Sequence, residues 1–350
     1  MRNLLVSSNA IAQAAGTEAI SQGGNAVDGV LAALLAGAAV SSPASLLGSA
    51  VITVAGLGVG AYAVDGRAKA TGLATARRSA PEDPPVRDAI ASPGLVEGVL
   101  TAHNRFGSLA LSRVARAAMD AIKEHSEDPH AKARMPVLEA IHRHGGRWLA
   151  SLGLDQALVE AAGTPVHGPL TREDLAHNHA PVVELASRAL GSHQALVFPP
   201  AIVQRFAPPE PPKTAVGVAL AGDMHGVFAS ASWAVAPEAC LLVSDYALSG
   251  AALNNAPTKG VTRRAPGTKI PLPDVAAILR HDAKVWAAAA VGGEGSLESA
   301  RDELVARRVS AVTAKPIATE SPAESVRATT FWLVREAGDE LRSVEESVSR

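Results

Sequence analysis

The chain has 350 residues, a formal net charge of −2 at pH 7 and only 3% aromatic residues. Nucleic-acid-binding proteins usually carry a basic face and aromatic side chains that stack on bases, so this composition argues against a nucleic-acid partner. The one cysteine, Cys240, excludes an internal disulfide and fits a reducing compartment. Because the apolar part of the first ten residues is too short for a secretory signal, we expect a soluble cytoplasmic protein.

Two helices are predicted at the start of the chain, over residues 8–22 and 25–40. Gly23 and Gly24 end the first helix, since glycine adopts the left-handed conformation that a helix end needs. Asn25 can cap the second helix, with Asp28 placed three residues later to reach back to a free backbone N–H. Its Ala/Leu run is apolar on nearly every side, which is typical of a buried helix.

Residues 46–64 form an uncharged segment whose length approaches that of a membrane span. Four glycines interrupt it, and its Val, Ile and Thr residues favour strands. We therefore predict a buried β-hairpin, with strands at 51–54 and 61–64 around the sequence GLGVG, and no membrane partner. A dinucleotide-binding loop needs a helix directly after its glycines, whereas a strand follows here.

The middle of the chain is predicted to be helical, at 94–106, at 111–124 and on to about residue 163. Two histidine pairs, His142 with His144 and His177 with His179, are each spaced two residues apart. Residues at that spacing do not share a helix face, and no carboxylate or cysteine completes a ligand set. We predict neither a metal site nor a cofactor.

A proline-rich linker is predicted at residues 199–213, where six of the fourteen residues in PPAIVQRFAPPEPP are proline. Strands are predicted after it, at 214–220, 227–233, 275–279 and 285–291, with Gly292 and Gly293 ending the last. A charged helix is expected from Leu297 to about residue 308, and the polar tail is expected to be helical near its end.

This order of elements indicates an α+β fold, and a four-layer α/β/β/α sandwich would satisfy it as one layered domain over residues 1–350. A two-domain α+β protein is the alternative. Strands and helices do not alternate strictly, which argues against a doubly wound parallel sheet.

Three features could carry chemistry. Thr214 begins a strand after the linker, and a threonine at a new chain terminus has its own α-amino group beside the hydroxyl as a base. Gly292 and Gly293 could present backbone N–H groups to an oxyanion. Arg77, followed by Arg78, could bind a carboxylate in bidentate fashion. Each also has an ordinary interpretation: a strand start, a turn and a solvated loop.

Several segments together resemble the γ-glutamyltranspeptidase family of N-terminal-nucleophile hydrolases. The similar segments, within about residues 7–293, are SSNAIAQAAGTEAISQGGNAVDGVLAALLA, ATARRSAP, SPGLVEGVLTAHNRFGSL, GPLTREDLAHNHAPVVE, ALNN, PGTKIPL and the later GG. The GGNAVD block is the most specific of them. The resemblance implies the α/β/β/α sandwich, with a large-subunit-like part at 1–198 and a small-subunit-like part at 214–350.

The resemblance also implies roles for individual residues. Thr214 would be the nucleophile, freed by self-cleavage between Lys213 and Thr214, and Gly292 with Gly293 would stabilise the oxyanion. Arg77 falls on the arginine that holds the substrate carboxylate. Asn254 and Asn255 fall on the family's substrate-binding asparagines. The expected partner is a small-molecule amide or γ-glutamyl-like substrate, and a homodimer is left open.

The chain differs from the family at positions that take part in catalysis and substrate binding. The family has Thr-Thr-His at the processing site, where this chain has Thr214, Ala215 and Val216. Acidic residues that grip the substrate amino group are replaced by the sequence APTK at 256–259, and the family's paired serines become Pro273 and Asp274. Two hypotheses follow: an amide hydrolase or acyltransferase with an altered substrate, and a catalytically inactive homologue that serves in binding or assembly.

Overall fold

The computed structural model describes residues 3–41, 46–72, 90–163, 168–176, 179–199, 215–235, 240–243, 246–249, 267–270, 272–294, 297–313, 327–335 and 340–349. Its strands are β1 Leu4–Ser7, β2 Ala50–Gly56, β3 Gly60–Gly66, β4 Lys69–Ala70, β5 Ala91–Ser92, β6 Val182–Glu184, β7 Ala186–Leu190, β8 His193–Val197, β9 Ala215–Gly222, β10 Phe228–Val235, β11 Cys240–Val243, β12 Tyr246–Ser249, β13 Ala276–His281, β14 Lys284–Glu294, β15 Arg327–Arg335 and β16 Leu341–Ser349. Its α-helices are α1 Ala10–Ser21, α2 Ala26–Val40, α3 Leu95–Phe106, α4 Leu111–His125, α5 Pro129–Ala133, α6 Met135–His144, α7 Trp148–Ser151, α8 Leu154–Ala162, α9 Arg172–Ala176 and α10 Leu297–Thr313.

The long strands form two antiparallel sheets. The first sheet has the order β6-β3-β2-β10-β9-β1, and the second sheet has the order β7-β8-β13-β14-β15-β16. Within the described residues, one register pair, Gly293 with Val216, links the two sheets. Two further pairs of short strands, β4 with β5 and β11 with β12, are separate from these sheets.

Alternation along the strands shows that the two sheets pack face to face. In β9, Val216, Val218 and Leu220 belong to an apolar cluster shared with the second sheet, whereas Ala219 and Ala221 belong to a cluster shared with the helices. Successive side chains of a strand point to opposite faces, so each sheet has one face toward its partner and one toward helices. The predicted α+β fold with an α/β/β/α sandwich is confirmed.

The N-terminal helices cover the outer face of the first sheet. Asn9 caps α1 by accepting hydrogen bonds from the backbone N–H groups of Ile11 and Ala12 at 2.9 and 3.0 Å. Fourteen of the fifteen residues of α2 are buried, as its Ala/Leu run predicts. A Cβ on Gly37 of α2, or on Gly217 of β9, would lie 2.3 Å from the Trp233 ring, so both glycines are needed for this close packing.

The GGNAVD motif is a structural device at the start of α2. Asn25 and Asp28 form a reciprocal capping box, with each side chain accepting from the other residue's backbone N–H at 3.0 Å. The buried Asp28 carboxylate also accepts from the Ser108 hydroxyl at 2.6 Å and from the Leu109 backbone N–H at 3.1 Å. These bonds hold α2 to the loop between α3 and α4.

Helix α10 covers the outer face of the second sheet. Val305 and Val309 pack against Ala287, Ala289 and Trp332. Helix α10 therefore forms the fourth layer of the sandwich, and it is the helix that the sequence predicts from Leu297.

An ion pair fixes the start of α10 to the chain before β13. Arg301, whose side chain is 4% exposed, pairs with Asp274 at 2.5 Å and with Asp302 at 2.7 Å. Burial raises the pKa of the Asp274 carboxyl to about 6, although Arg301 acts to lower it. The Asp274 side chain is therefore an anchor for this helix.

Most predicted elements agree with the structure, including the hairpin around GLGVG, where β2 and β3 pair across Leu57 to Val59. The prediction of a helical tail is wrong, because residues 327–335 and 341–349 form β15 and β16 at the edge of the second sheet. Gly292 and Gly293 do not end their strand, since β14 continues to Glu294. In the described part of the chain, no helix combines the length and apolar character that crossing a membrane requires.

Replacing Arg301 with Met should destabilise the fold, because the largely buried Asp274 carboxylate loses its partner. Breaking a buried ion pair from one side costs about 3–5 kcal/mol. Urea unfolding followed by circular dichroism measures the change in the free energy of unfolding.

Arg307→Met is the matched control, since Arg307 lies on the same helix, is 64% exposed and pairs with Glu303. We expect this control to lose less than about 1 kcal/mol. The double variant Asp274→Asn/Arg301→Met should recover part of the loss, because no unpaired carboxylate is left buried. Equal losses in the two single arginine variants would contradict the assignment.

Candidate functional site

The two sheets meet at the strand that follows Thr214. Ala215 begins β9, and Val216 pairs with Gly293 of β14. Gly293 has a φ of 131°, a backbone conformation that favours glycine. The predicted diglycine therefore lies alongside the first residues of β9. In the sequence, this strand begins directly after Thr214, the predicted nucleophile.

Gly292 lies in close contact with both sheets. A Cβ added to it would be 3.2 Å from the Ser8 Cβ and 3.3 Å from the Val218 Cγ2, so only a residue without a side chain fits easily. Gly292 and Gly293 also pair with Thr329 and Ala328 of β15. The glycines thus lie inside a strand rather than in a turn, and their role as oxyanion donors stays a prediction.

Ser8 fixes the backbone of β9 at this junction. Its backbone N–H donates to the Val218 carbonyl at 2.9 Å, and its hydroxyl accepts from the Val218 N–H at 2.9 Å. The Ser7 hydroxyl also donates to the Val218 carbonyl at 2.8 Å. Ser8 thus continues the pairing of β1 past its last residue, Ser7, while β10 pairs along the other edge of β9.

A buried charged cluster, made of Asp65, Arg67 and Lys269, lies at the same end of the first sheet. The Arg67 guanidinium makes two hydrogen bonds to the Asp65 carboxylate, both 2.9 Å long. The Lys269 ammonium donates to the backbone carbonyls of Asp65 and Arg67 at 2.8 and 3.0 Å. Two cations and one carboxylate leave this cluster with an excess positive charge when all three are ionised.

The register of the sheet relates this charged cluster to the junction. Gly66 pairs with Ala50, Ala50 with Trp233, and Trp233 with Gly217, so the end of β3 is level with the start of β9. Asp65 pairs with Val51, whose side chain lies in the cluster between the sheets. The charged cluster and the junction therefore share one end of the space between the two sheets, about three strand spacings apart.

The second sheet closes over the charged cluster. The Arg67 guanidinium carbon lies 4.8 Å from the centre of the Phe198 ring, directly after β8. A cation over an aromatic face is stabilised by the ring quadrupole. Phe198 belongs to the apolar cluster between the sheets, so Arg67 contacts both sheets at this end.

Burial shifts the pKa values of the charged cluster. It lowers the pKa of Lys269 to about 8, against an opposing effect of Asp65. Burial alone would raise the pKa of Asp65, but hydrogen bonds from Arg67 and the charges of Arg67 and Lys269 hold it below its usual value. Burial also lowers the pKa of the neighbouring Lys69. A buried lysine that titrates near neutral pH is a feature of functional sites.

Most of the predicted site residues fall outside the described part of the chain. Thr214, Arg77, Asn254 and Asn255 lie there, as does the Lys213–Thr214 bond, and their roles stay predictions. Gly292 and Gly293 are the predicted site residues that the structure places. Among the described residues, no three His, Cys, Asp or Glu side chains converge to form a metal site.

Sequence reasoning missed the charged cluster. The predicted strand ends at residue 64, whereas β3 continues through Asp65 to Gly66, and PGTKIPL, which contains Lys269, is identified from the sequence only as a similar segment. A carboxylate and a guanidinium two residues apart at a strand end, as in the sequence DGR, were the available signal. Lys269 could not be linked to them from the sequence, because more than two hundred residues separate them.

Comparison with a family model supports the resemblance. Residues 12–125 match the model described as Gamma-glutamyltranspeptidase, which is about a third of the chain. The suspected resemblance to this family is thereby confirmed over that range. No match was found among the curated proteins.

Solved structures show the same fold over nearly the whole chain. A cephalosporin acylase from Bacillus halodurans is 12% identical, with a TM-score of 0.71, and the match covers 99% of this chain and 94% of that one. Two structures named for LmbA2991 are 10% and 11% identical, with TM-scores of 0.72 and 0.66, covering 100% and 99% of this chain and 98% and 96% of theirs. At these identities the likeness concerns the fold alone.

The free energy of unfolding should rise with pH from about 8 toward 10, because Lys269 releases its proton at lower pH in the folded state than in the unfolded state. The wild type should gain on the order of 2 kcal/mol over this window relative to Lys269→Met. Below pH 7 both states are protonated at this position, so no difference in slope is expected. Urea unfolding at pH 6, 7, 8, 9 and 10 measures both slopes.

Lys284→Met serves as the control, since Lys284 is exposed at the start of β14. Its stability should run parallel to that of the wild type across the whole pH range. Parallel curves for the wild type and Lys269→Met between pH 8 and 10 would refute the pKa assignment.

Proposed function

We propose that this chain is an amide hydrolase or acyltransferase of the N-terminal-nucleophile type, with Thr214 as nucleophile after cleavage of the Lys213–Thr214 bond. The observation that carries the proposal is the pairing of Gly293 with Val216. It sets the diglycine beside a strand that begins one residue after Thr214. Side chains at 216, 218 and 220 face the space between the sheets, and residue 214 has the same parity in the sequence.

In the proposed reaction the Thr214 hydroxyl attacks the carbonyl carbon of an amide, while its proton passes to the free α-amino group of the same residue. The C–N bond then breaks, the proton moves to the departing amine, and an ester to Thr214 is left. Water, or an acceptor amine, attacks this ester and restores the hydroxyl. Backbone N–H groups of Gly292 and Gly293 would stabilise the oxyanion in both steps.

Self-cleavage uses the same nucleophile within the chain. The Thr214 hydroxyl attacks the Lys213 carbonyl carbon, the C–N bond breaks as the hydroxyl proton passes to the Thr214 nitrogen, and water hydrolyses the resulting ester. The new α-amino group of Thr214 is then the base for later turnovers. The sequence supports the proposal, because the proline-rich linker predicted before this bond favours an extended chain there.

The excess positive charge of the charged cluster favours a substrate whose acyl group carries a carboxylate, although Arg67 and Lys269 already donate to Asp65 and to backbone carbonyls. Arg67 and Lys269 lie at the same end of the inter-sheet space as the junction, three strands away from it, and Arg77 is a further predicted carboxylate ligand. Family acids that grip the substrate amino group are absent from residues 256–259. A substrate ammonium would lose its ionic partner, so we propose a γ-glutamyl-like amide whose amino group is not required.

An inactive homologue is the second candidate, and one observation favours it. Where the family has Thr-His after its nucleophile, this chain has Ala215 and Val216, and the Val216 side chain is 2% exposed in the apolar cluster between the sheets. Neither side chain can assist the nucleophile through a hydroxyl or an imidazole. This candidate would use the sandwich only for binding or assembly.

Intact mass spectrometry of the purified chain separates the two candidates. The enzyme should convert from one 35.7 kDa species to two fragments that meet between Lys213 and Thr214, and Thr214→Ala should stay intact. Thr214→Ser keeps a hydroxyl and should still cleave. Thr313→Ala, on the last residue of α10, is the matched control and should cleave as the wild type does.

Activity is measured with 4-nitroanilides of glutaric acid, γ-linked glutamic acid and acetic acid. We expect the glutaryl compound to be cleaved at least as fast as the γ-glutamyl one, and the acetyl compound at least tenfold more slowly. Unchanged activity in Thr214→Ala would refute the assigned nucleophile. If the wild-type chain stays intact and cleaves none of the three substrates, the result would support the inactive homologue.

A further inference from the structure

A cavity lies at the end of the first sheet opposite the charged cluster. It has a volume of about 460 Å³, within the range of small-molecule sites. Four valines form its apolar walls: Val27, Val54, Val59 and Val227. We call it the aromatic pocket, after Tyr62 and Phe106, which also line it together with Arg105.

The aromatic pocket is separate from the candidate catalytic end. The pocket lies at the end of the first sheet where Phe228 pairs with Ala55 of β2 and with Gly222, the last residue of β9. Thr214 precedes Ala215, the first residue of β9, at the opposite end of that strand. Eight residues of β9 span about 25 Å at roughly 3.3 Å per residue. Val27 and Val54 also belong to the cluster on the helix side of the first sheet, so the pocket opens in a different layer.

Two aromatic rings and one cation define the chemistry of the pocket. The rings of Tyr62 and Phe106 are stacked, with centroids 6.0 Å apart and planes inclined by 25°. The Arg105 guanidinium carbon lies 5.5 Å from the centroid of the Tyr62 ring and 5.6 Å from that of Phe106. These contacts orient the guanidinium at the pocket without neutralising its charge.

The Arg105 guanidinium and the Tyr62 hydroxyl at the pocket can still form hydrogen bonds with a ligand. No carboxylate in the described part of the chain lies within ion-pair distance of Arg105, and the Tyr62 hydroxyl makes no hydrogen bond with the described residues. By contrast, the adjacent Phe106 carbonyl already accepts from the Asn25 amide at 2.8 Å. A guanidinium presents paired N–H groups that match a carboxylate in bidentate geometry.

We propose that the aromatic pocket binds a small aromatic carboxylic acid. Its ring would lie against the valines and the Tyr62 and Phe106 rings, and its carboxylate would pair with Arg105. The four valines and the two rings give a flat apolar group a surface to pack against. The site requires neither Thr214 nor the charged cluster, so the proposal stands independently of the proposed function.

Isothermal titration of the full-length chain with phenylacetate tests the proposal. We expect a Kd below about 1 mM for the wild type, and at least tenfold weaker binding of phenylacetamide, which has the ring without the charge. Arg105→Gln should weaken phenylacetate binding at least tenfold. Arg116→Gln, an exposed arginine on α4 outside the pocket, is the matched control and should bind as the wild type does.

Two further measurements keep the test decisive. Val59→Trp should abolish binding by filling the pocket, and thermal melting followed by circular dichroism verifies that each variant is folded. Thr214→Ala should bind phenylacetate unchanged, so a failure of the catalytic proposal is distinguishable from a failure of this one. Equal binding of phenylacetate and phenylacetamide, or full binding by Arg105→Gln, would overturn the proposal, as would self-association of the chain through the pocket that excludes the ligand.

Discussion

A buried carboxylate determines how the first helical layer is assembled. Asp28 has no exposed surface, and within the described residues it accepts hydrogen bonds from the Asn25, Ser108 and Leu109 backbone N–H groups and from the Ser108 hydroxyl. A buried ionised carboxylate is tolerated only with such compensation. The position of α2 relative to the α3–α4 loop depends on it, and α2 in turn covers the first sheet.

The packing of α2 on that sheet carries the constraint to the junction. Trp233 of β10 fits between Gly37 of α2 and Gly217 of β9, next to the residues that meet β14. On the far side, Ser8 and Gly292 approach the same strand. Contacts from a helix and three strands thus converge on the first half of β9, and they define its position more tightly than strand pairing alone would.

Local chemistry made the N-terminal half predictable from sequence. Asn25, Asp28 and the glycines at 23 and 24 mark helix ends by mechanisms that act within four residues, and the hairpin around GLGVG is equally local. The prediction for the tail is wrong because β15 forms by pairing with β14, which lies more than thirty residues earlier, and β16 forms by pairing with β15. The charged cluster escaped detection for the same reason, since Lys269 reaches Asp65 only in three dimensions.

Strands from both sides of the Lys213–Thr214 bond are interleaved. The first sheet combines β1, β2 and β3 with β9 and β10, and the second combines β7 and β8 with β13 to β16. Severing the backbone between them would break no ladder in either sheet. The two pieces could separate only by exposing the apolar clusters that the sheets bury. A cleaved molecule would therefore unfold in one transition and stay a single particle until it is denatured.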